Sequence, residues 1–270
     1  MPEGHTLHRL ATDLTATFGG QAVSSTSPQG RFDAGASRLD GHVLWRAEAW
    51  GKHLLIDFTG VRERVHVHLG IYGSFVIARS DHPVVGQVRW RVASRRAVAD
   101  LRGPTVCELL EPDAADELIA RLGPDPLRPD ADPELAWQRI TASRAPIATL
   151  LMDQRVLSGV GNVYRAELLF RHRVDPDLEG RRLDRGTFAA MWDDLTTLMS
   201  AGERTGRIDT VDPEHEPAAM GRDPRVDDHG GEVYVYRRTD QACLVCGTAI
   251  RTRVLAGRNL FWCPSCQQGG

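Results

Sequence analysis

The first residues of the chain carry a clear potential for covalent chemistry. Removal of Met1 would leave Pro2 as the N-terminal residue, a secondary amine directly followed by the carboxylate of Glu3. An α-amino group titrates near pH ~8, roughly two units below a lysine side chain, so more of it is unprotonated at neutral pH. Such an amine can attack a sugar aldehyde, and the resulting iminium favours elimination, while Glu3 could protonate a leaving group. Taken alone, so short a motif is more often an ordinary chain start.

A metal site is predicted near the other end of the chain. Two Cys-x-x-Cys pairs, Cys243 with Cys246 and Cys263 with Cys266, are separated by sixteen residues, which is typical of a tetrahedral zinc site. Disulfides are the alternative, but the chain shows no secretory leader, and this favours zinc. Because four thiolates complete the coordination shell, we predict one Zn2+ with a structural role.

The basic residues show a strong bias. Lys52 is the only lysine among 33 basic residues, so it either survived by chance or was retained for a function. The net charge of −3 and pI near 6.4 do not indicate a nucleic-acid binder, although a basic face can coexist with acidic surfaces. Arg251, Arg253 and Arg258, within the segment between the cysteine pairs, could meet a phosphate backbone. Apolar runs are too short to span a membrane, and we expect a cytoplasmic protein.

Periodicity indicates the elements that would position these groups. Apolar residues recur at helical spacing from Thr6 to Gly19, which predicts an amphipathic helix with Pro2 at its entrance. Short alternating segments between residues 43 and 92 predict strands joined by glycine turns. We therefore predict an α+β protein of two domains, whose first domain is a β-sandwich with an N-terminal helix.

Two features of the predicted sandwich stand out. His66 and His68 lie two residues apart on a strand and face the same way. They could form a metal pair, but polar residues on the open face of a strand are the more common arrangement. Further on, Gly70-Ile71-Tyr72-Gly73 places two large side chains between glycines, and these either project from a turn or pack into the core.

The second half of the chain has a helical pattern. Residues 123–134 are dense in proline and aspartate, which is typical of a linker. Residues 157–162, Leu-Ser-Gly-Val-Gly-Asn, interrupt two helical segments, and backbone N–H groups at such a turn suit phosphate, although an ordinary helical hairpin fits as well. Asp132 and Asp184 are predicted helix caps. Residues 202–231 read as a long loop, and residues 233–236 as a strand leading to a hairpin within Thr248 to Trp262.

Together these residues resemble the formamidopyrimidine-DNA glycosylase and endonuclease VIII family of base-excision repair enzymes. The resemblance covers the whole chain in the family's order: the Met-Pro-Glu-Gly opening, Gly51-Lys52, Arg-Leu-Gly-Pro-Asp at 121–125, Gly-Val-Gly-Asn-Val-Tyr at 159–164, and the four-cysteine finger. The opening is similar to the endonuclease VIII branch, in an arginine-rich variant of actinobacterial type. We set domain limits at 1–122 for the catalytic sandwich, 123–134 for the linker, 135–231 for a helix–two-turn–helix domain and 232–270 for the zinc finger.

The resemblance implies a bifunctional DNA glycosylase and abasic-site lyase that binds damaged DNA as a monomer. Pro2 looks like the Schiff-base nucleophile that attacks the sugar C1′, and Glu3 looks like its proton donor. Lys52 matches the lysine assigned to β-elimination and phosphate contact. Arg258 matches the finger arginine assigned to δ-elimination and phosphate binding. A non-catalytic DNA-binding protein and an amine-dependent enzyme for small aldehydes are the alternatives.

Further positions match residues that the family uses on DNA. Arg121 and Asn162 match DNA-contacting positions, and Glu167 matches a carboxylate near the site. Ile71 and Tyr72 occupy the place of side chains that fill the gap left by an extruded base, and Gly70 before them is grouped with the DNA-binding positions.

The chain also departs from the family pattern in three places. His5 and Thr6 replace the usual proline and glutamate, and Gly70 replaces a glutamine of the endonuclease VIII type. Residues 202–231 do not resemble the purine-capping loop of the formamidopyrimidine branch. The endonuclease VIII-like opening nevertheless leads us to expect oxidised pyrimidines as the better substrates.

Overall fold

The computed structural model describes residues 2–226 and 231–268, which divide into two compact units, residues 1–121 and 122–270. The helices and strands of the first unit are α1 (Gly4–Phe18), β1 (Gln21–Ala22), β2 (Ser24–Thr26), α2 (Asp33–Leu39), β3 (Val43–Trp50), β4 (His53–Phe58), β5 (Arg64–His68), β6 (Ser74–Arg79), β7 (Val88–Ala93), β8 (Ala97–Arg102), β9 (Val106–Leu110) and α3 (Pro112–Ala120).

The first unit is the predicted β-sandwich with an N-terminal helix. One antiparallel sheet has the strand order β1-β3-β4-β5-β9 and the other has the order β2-β7-β8-β6. Helix α1 packs on β3 and β4, and its Leu14 and Phe18 have no exposed surface. Trp90 is fully buried among three phenylalanine rings, and its Nε1 donates to Ser25 Oγ at 2.9 Å. These apolar residues form one core, which fixes the strand ends that carry the polar groups described below.

The second unit is mostly helical and ends in a β-hairpin. Its elements are α4 (Pro133–Thr141), α5 (Ile147–Leu150), α6 (Asn162–Arg171), α7 (Arg185–Thr205), α8 (Pro217–Met220), β10 (Arg251–Leu255) and β11 (Arg258–Trp262), with single 3-10 turns at Gly180–Arg182 and Pro213–His215. The predicted caps are confirmed: the side chain of Asp132 accepts from the backbone of Glu134, and that of Asp184 from the backbone of Thr187. No helix in the described ranges is both long and apolar enough to cross a bilayer.

The beginning of the predicted linker, residues 123–134, is packed against the rest of the second unit. Gly123 to Pro126 are buried, and Gly123 donates its N–H to the carbonyl of Gln154 at 2.8 Å. A Cβ on Gly123 would lie 2.5 Å from the backbone of Val156, so only glycine fits this close approach. Proline and aspartate here build a tight packed segment, which composition alone does not distinguish from a flexible one.

Two local predictions need correction. The loop predicted for 202–231 begins only after α7 ends at Thr205, and it contains the short helix α8; residues 227–230 of that prediction lie outside the described residues. Residues 233–236 form no strand. Their N–H groups bond to a buried carboxylate instead of to a neighbouring strand, as the next subsection describes.

Candidate functional site

The start of α1 positions the predicted nucleophile and acid. Pro2 is half-buried, and Glu3, the N-cap residue, has no exposed surface. The carbonyl of Glu3 accepts from the N–H of Thr6 at 2.9 Å and so fixes the first turn of the helix. A carboxyl group shielded from water directly behind an amine is suited to proton transfer.

His5 replaces the family's proline without leaving a solvent-exposed gap. Its side chain is buried, and Nε2 lies 3.3 Å from the hydroxyl of Thr6. Burial lowers the pKa of His5 to about 4, so the imidazole is neutral at pH 7. The helix entrance therefore gains a neutral polar ring where the resemblance leads one to expect an apolar residue followed by a carboxylate.

Lys52 lies in the two-residue turn Gly51-Lys52 that joins β3 to β4. Gly51 has a φ of 58°, the left-handed conformation that such a hairpin turn requires. Because the turn is fixed by the pairing of Trp50 with His53, the backbone position of Lys52 is well determined.

A chain of histidines begins next to Lys52 on the outer face of the five-stranded sheet. His53 Nδ1 lies 2.9 Å from His66 Nε2, and His66 Nδ1 lies 3.0 Å from Glu108 Oε1. The His53 ring also lies 5.0 Å from that of His68, centroid to centroid. Of the two sequence-based alternatives for His66 and His68, polar residues on a strand face are observed; in the described ranges the histidines do not form a metal-ligand group.

The turn after β5 projects its two large side chains. Tyr72 is 90% exposed and Ile71 is 50% exposed, so of the two alternatives the projecting one is observed. Gly70 has a φ of 68°, and a Cβ there would lie 1.9 Å from the hydroxyl oxygen of Thr105. A glutamine at position 70 would therefore be strained and would clash with Thr105, which accounts for the departure from the endonuclease VIII pattern.

Arg121, the last residue of the first unit, lies at the C-cap of α3 with its side chain exposed. An exposed guanidinium can bind a phosphate. Its charge contributes to lowering the pKa of His53, after the larger effects of burial, His66, His68 and Lys52.

In the second unit, the glycine-rich double turn is built around Gln154. Its side-chain oxygen accepts from the N–H of Gly159, and its Nε2 donates to the carbonyl of Val160. Gly159 has a φ of 86°, and Gly161 is the N-cap of α6. Because Gln154 bonds to two adjacent residues of the turn, the N-terminus of α6 has a fixed orientation, as the helix–two-turn–helix prediction requires.

Asn162, the first residue of α6, is connected to the hairpin of the finger. Its side-chain Nδ2 donates to the carbonyl of Asn259 at 2.9 Å, and its Oδ1 accepts from Arg165. Arg165 is buried and also donates to the carbonyl of Asn259, at 3.0 Å. Arg258 precedes Asn259 at the start of β11 and is exposed. The predicted DNA-binding residue Asn162 is therefore hydrogen-bonded to the carbonyl of Asn259, the residue that directly follows Arg258.

Glu167 lies in the interior of the second unit. Its carboxylate is fully buried and accepts from the N–H groups of Tyr234, Val235 and Tyr236 at 2.6–2.9 Å and from the hydroxyl of Thr210 at 2.6 Å. A carboxylate enclosed by four donors has no exposed surface to offer DNA in this conformation, so the position of Glu167 does not support the predicted DNA-binding role. Glu167 instead holds the segment that leads to the finger.

The four predicted zinc ligands come together. The Sγ atoms of Cys243, Cys246, Cys263 and Cys266 all lie within 4.8 Å of one another, with 3.9 Å between the first and last and 3.5 Å between the middle two. A tetrahedral ZnS4 centre with Zn–S bonds near 2.3 Å has sulfur atoms about 3.8 Å apart. The cysteines therefore fit one structural zinc ion.

Family comparisons follow the same division of the chain. Residues 1–107 match the formamidopyrimidine-DNA glycosylase N-terminal domain, residues 122–212 match the formamidopyrimidine-DNA glycosylase H2TH domain, and residues 240–269 match the zinc finger found in FPG and IleRS. The chain is 53% identical over 275 residues to "Endonuclease 8 1" of Mycobacterium tuberculosis H37Rv, covering 99% of this chain and 100% of that protein. The chain belongs to the formamidopyrimidine-DNA glycosylase and endonuclease VIII family.

Other members of the family are more distant. The chain is 31% identical over 284 residues to the "DNA-(apurinic or apyrimidinic site) lyase Nei2" of Mycolicibacterium smegmatis, covering 99% of this chain and 98% of that protein. The fold matches MutM in complex with DNA containing carbocyclic 8-oxo-G, with a TM-score of 0.81, 22% identity, and coverage of 99% of this chain and 100% of that chain. The fold of the family is thus present along the whole chain.

The sequence did not reveal two parts of the site. His53 and Glu108 are neighbours of His66 because β4 and β9 both pair with β5. The local sequence pattern does not determine the order of the strands in a sheet. Arg165 is a buried arginine in a helix that otherwise reads as amphipathic. Its spacing of three residues from Asn162 was the available signal.

Proposed function

We propose that the protein is a bifunctional DNA glycosylase and abasic-site lyase that removes oxidised bases, with oxidised pyrimidines favoured. The main support is the similarity to Endonuclease 8 1 over the full length of the chain. In addition, Pro2, Glu3 and Lys52 are all present, and all three belong to the first unit. The same residues argue against a non-catalytic DNA-binding protein. We further propose that it acts as a monomer in the cytoplasm, where its DNA substrate would be found.

In the proposed reaction the Pro2 nitrogen attacks the sugar C1′ and displaces the damaged base. Glu3 supplies a proton at the sugar or the leaving group, and its position shielded from water directly behind the amine supports this role. The iminium that forms withdraws electrons and makes the C2′ proton acidic. Removal of that proton expels the 3′ phosphate by β-elimination, and a second elimination, with Arg258 on phosphate, releases the 5′ phosphate.

DNA binding is proposed to use both units. In the first unit, Arg121 offers a charge to phosphate, and Gly70, Ile71 and Tyr72 form the turn that would fill the gap left by the extruded base. In the second unit, the N-terminus of α6 at Asn162 and the exposed Arg258 are suited to the phosphate backbone. The zinc ion would hold the hairpin that carries Arg258, without a direct part in the reaction.

Borohydride trapping tests the proposed mechanism. Reduction of the iminium should yield a stable adduct with abasic-site DNA, and mass spectrometry should place it on Pro2 and not on Lys52. A variant that retains residues ahead of Pro2 should bind DNA but neither trap nor cleave it. Equal trapping with a blocked N-terminus would exclude Pro2 as the nucleophile, and a protein that binds but never traps would support the non-catalytic alternative.

The lesion preference is tested separately. Base release from oligonucleotides containing thymine glycol should be faster than release of 8-oxoguanine opposite cytosine, measured side by side under single-turnover conditions. The reverse order would place the protein functionally with the formamidopyrimidine branch, without affecting the proposed chemistry at Pro2.

A further inference from the structure

In the histidine chain beside Lys52, formed by His53, His66 and Glu108, the hydrogen-bond partners determine which ring nitrogen carries the proton. Glu108, as a carboxylate, can only accept, so the hydrogen bond from His66 must come from a protonated Nδ1. In a neutral imidazole the other nitrogen is then a bare acceptor, so His66 Nε2 must accept from His53 Nδ1–H. With His66 neutral, His53 therefore has its lone pair on Nε2.

The neighbouring histidine has the opposite tautomer. The backbone N–H of Gly70 donates to His68 Nδ1 at 3.1 Å, so the proton of a neutral His68 must be on Nε2. The edge of the sheet next to Lys52 thus presents one bare nitrogen, from His53, and one N–H, from His68. Among the residues that the structure describes, none hydrogen-bonds to Nε2 of His53.

The surroundings of His53 keep it uncharged. Burial, the facing His66 and His68, and the charges of Lys52 and Arg121 together lower its pKa to about 3. The same influences, led by burial and followed by His66 and Lys52, lower the pKa of His68. A proton that remained on His53 would therefore lie in a poorly hydrated place near the charge of Arg121, and this is unfavourable. A path that carries the proton away removes that difficulty.

The other end of the chain opens to water. His66 is buried, with 6% of its side chain exposed, whereas half of the Glu108 side chain is exposed. The three groups thus connect the region of Lys52 with solvent through a buried imidazole. A carboxylate hydrogen-bonded to an imidazole is an arrangement that fixes the tautomer and stabilises a passing imidazolium.

We propose that Glu108, His66 and His53 form a proton relay that takes up the proton of the Lys52 ammonium during strand cleavage. The inference rests on the proposed lyase function, in which Lys52 serves β-elimination. Lys52 Nζ gives a proton to His53 Nε2, His53 Nδ1–H passes its proton to His66 Nε2, and His66 Nδ1–H passes its proton to Glu108. The lysine becomes a neutral amine, the carboxylate becomes a neutral acid, and Glu108 exchanges its proton with water.

In this relay the three residues act as positioning residues, because they work through Lys52. A neutral Lys52 can then accept the C2′ proton. The transfer leaves the protons of His53 and His66 on Nε2, and both rings must return to the Nδ1–H tautomer before the relay can take a second proton from Lys52. Iminium formation at Pro2 does not require the relay, so trapping and cleavage should respond differently to its loss.

The test compares Glu108→Gln, His66→Gln and His53→Gln on DNA with a preformed abasic site. Borohydride trapping should stay within about twofold of the parent, while single-turnover strand cleavage should fall at least about 10-fold. The loss should be smaller than the roughly 10²- to 10⁴-fold contribution of a general acid or base, because Lys52 itself is still present. Glu108→Gln changes a half-exposed side chain and should not disturb folding. Glu63→Gln, a carboxylate of the same unit that pairs with Arg38, is the matched control and should cleave like the parent.

Two further readouts separate a relay from a merely structural role. Added imidazole should partly restore cleavage in His53→Ala, and an equal concentration of salt should not. Long-range proton–nitrogen spectra of the ¹⁵N-histidine-labelled parent should show the proton on Nδ1 in His53 and His66 and on Nε2 in His68.

The outcomes are distinct. Cleavage at the parental rate in all three glutamine variants, or the opposite tautomer at His53, would overturn the relay while leaving the lyase proposal intact. A parent that neither traps nor cleaves abasic DNA would overturn the lyase proposal, and the relay with it. Equal loss of trapping and cleavage would show that the histidines maintain structure and would also overturn the relay.

Discussion

At the scale of single residues, the burial of Glu3 separates the two activities. Base removal needs an acid, whereas cleavage of a preformed abasic site begins after the base has left. Glu3→Gln should therefore reduce release of a damaged base by about 100-fold or more, and cleavage of abasic DNA much less. The measurement is a pair of single-turnover assays on matched oligonucleotides. Parallel losses in both assays would contradict the acid role of Glu3.

His5 predicts an acid sensitivity of the first unit. Its pKa is near 4 in the folded protein and about 6.5 when unfolded, so the unfolded chain binds the proton more tightly. The stability associated with neutral His5 is complete above pH ~6.5 and is lost as the pH falls toward 4. Between pH 7 and 5 the loss from this residue should be about 2 kcal/mol. His5→Gln should remove that part of the pH dependence of the unfolding free energy, and an unchanged dependence would refute the assignment.

The exposed tyrosine of the β5–β6 turn makes a third prediction at this scale. Tyr72 is 90% exposed, so Tyr72→Ala should leave thermal stability within about 0.5 kcal/mol of the parent. If the side chain fills the gap left by an extruded base, excision from duplex DNA should fall, since the gap exists only in the duplex. Cleavage of a single-stranded abasic oligonucleotide should be retained, and an equal loss on both substrates would contradict the role.

At the scale of elements, the sequence predicted what is set by nearby residues. Helix α1 was visible in its apolar spacing, and the N-cap roles of Asp132 and Asp184 follow from residue type and position. The strand predicted at residues 233–236 was wrong because its alternation reflects packing around a buried carboxylate. Glu167 lies about seventy residues earlier, and no local pattern shows that a side chain will replace a neighbouring strand as acceptor.

Glu167 is therefore predicted to be essential for the second unit. In Glu167→Gln the new NH2 group would face backbone donors, so at least one buried N–H would lose its acceptor. The expected destabilisation is about 3 kcal/mol or more, because charged acceptors of several buried donors are costly to replace. Thermal unfolding of this variant should be compared with Glu214→Gln, an exposed control in the same unit. Similar stability of the two variants would show that the carboxylate does not hold the segment.

At the scale of the whole molecule, the predicted site residues are distributed over two units. Pro2, Glu3 and Lys52 belong to the first unit, whereas Asn162 and Arg258 belong to the second. The family resemblance placed these residues, since a net charge of −3 gave no sign of DNA binding. Physical patterns located the helices, strands and cysteine pairs, but the histidine chain and the hydrogen bond from Asn162 to Asn259 depend on packing between distant segments.

The two units have separate cores, which predicts how the protein responds to loss of zinc. Cys243 and Cys263 pack in the core of the second unit together with helix residues, and the core of the first unit contains neither. Cys263→Ser should lose the zinc ion and lower the unfolding temperature of the second unit, while the first unit unfolds as in the parent. Calorimetry with hydrogen exchange can assign each transition.

Arg258→Ala is the matched comparison, because Arg258 is exposed on the same hairpin and ligates no metal. It should keep the zinc ion and both transitions but weaken DNA binding. The magnitude of the slope of log affinity against log salt concentration should decrease by about one, which is the contribution of one phosphate contact. A zinc-free Cys263→Ser protein that binds DNA as tightly as the parent would show that the finger does not carry phosphate contacts. An unchanged salt slope in Arg258→Ala would show that this arginine is not one of them.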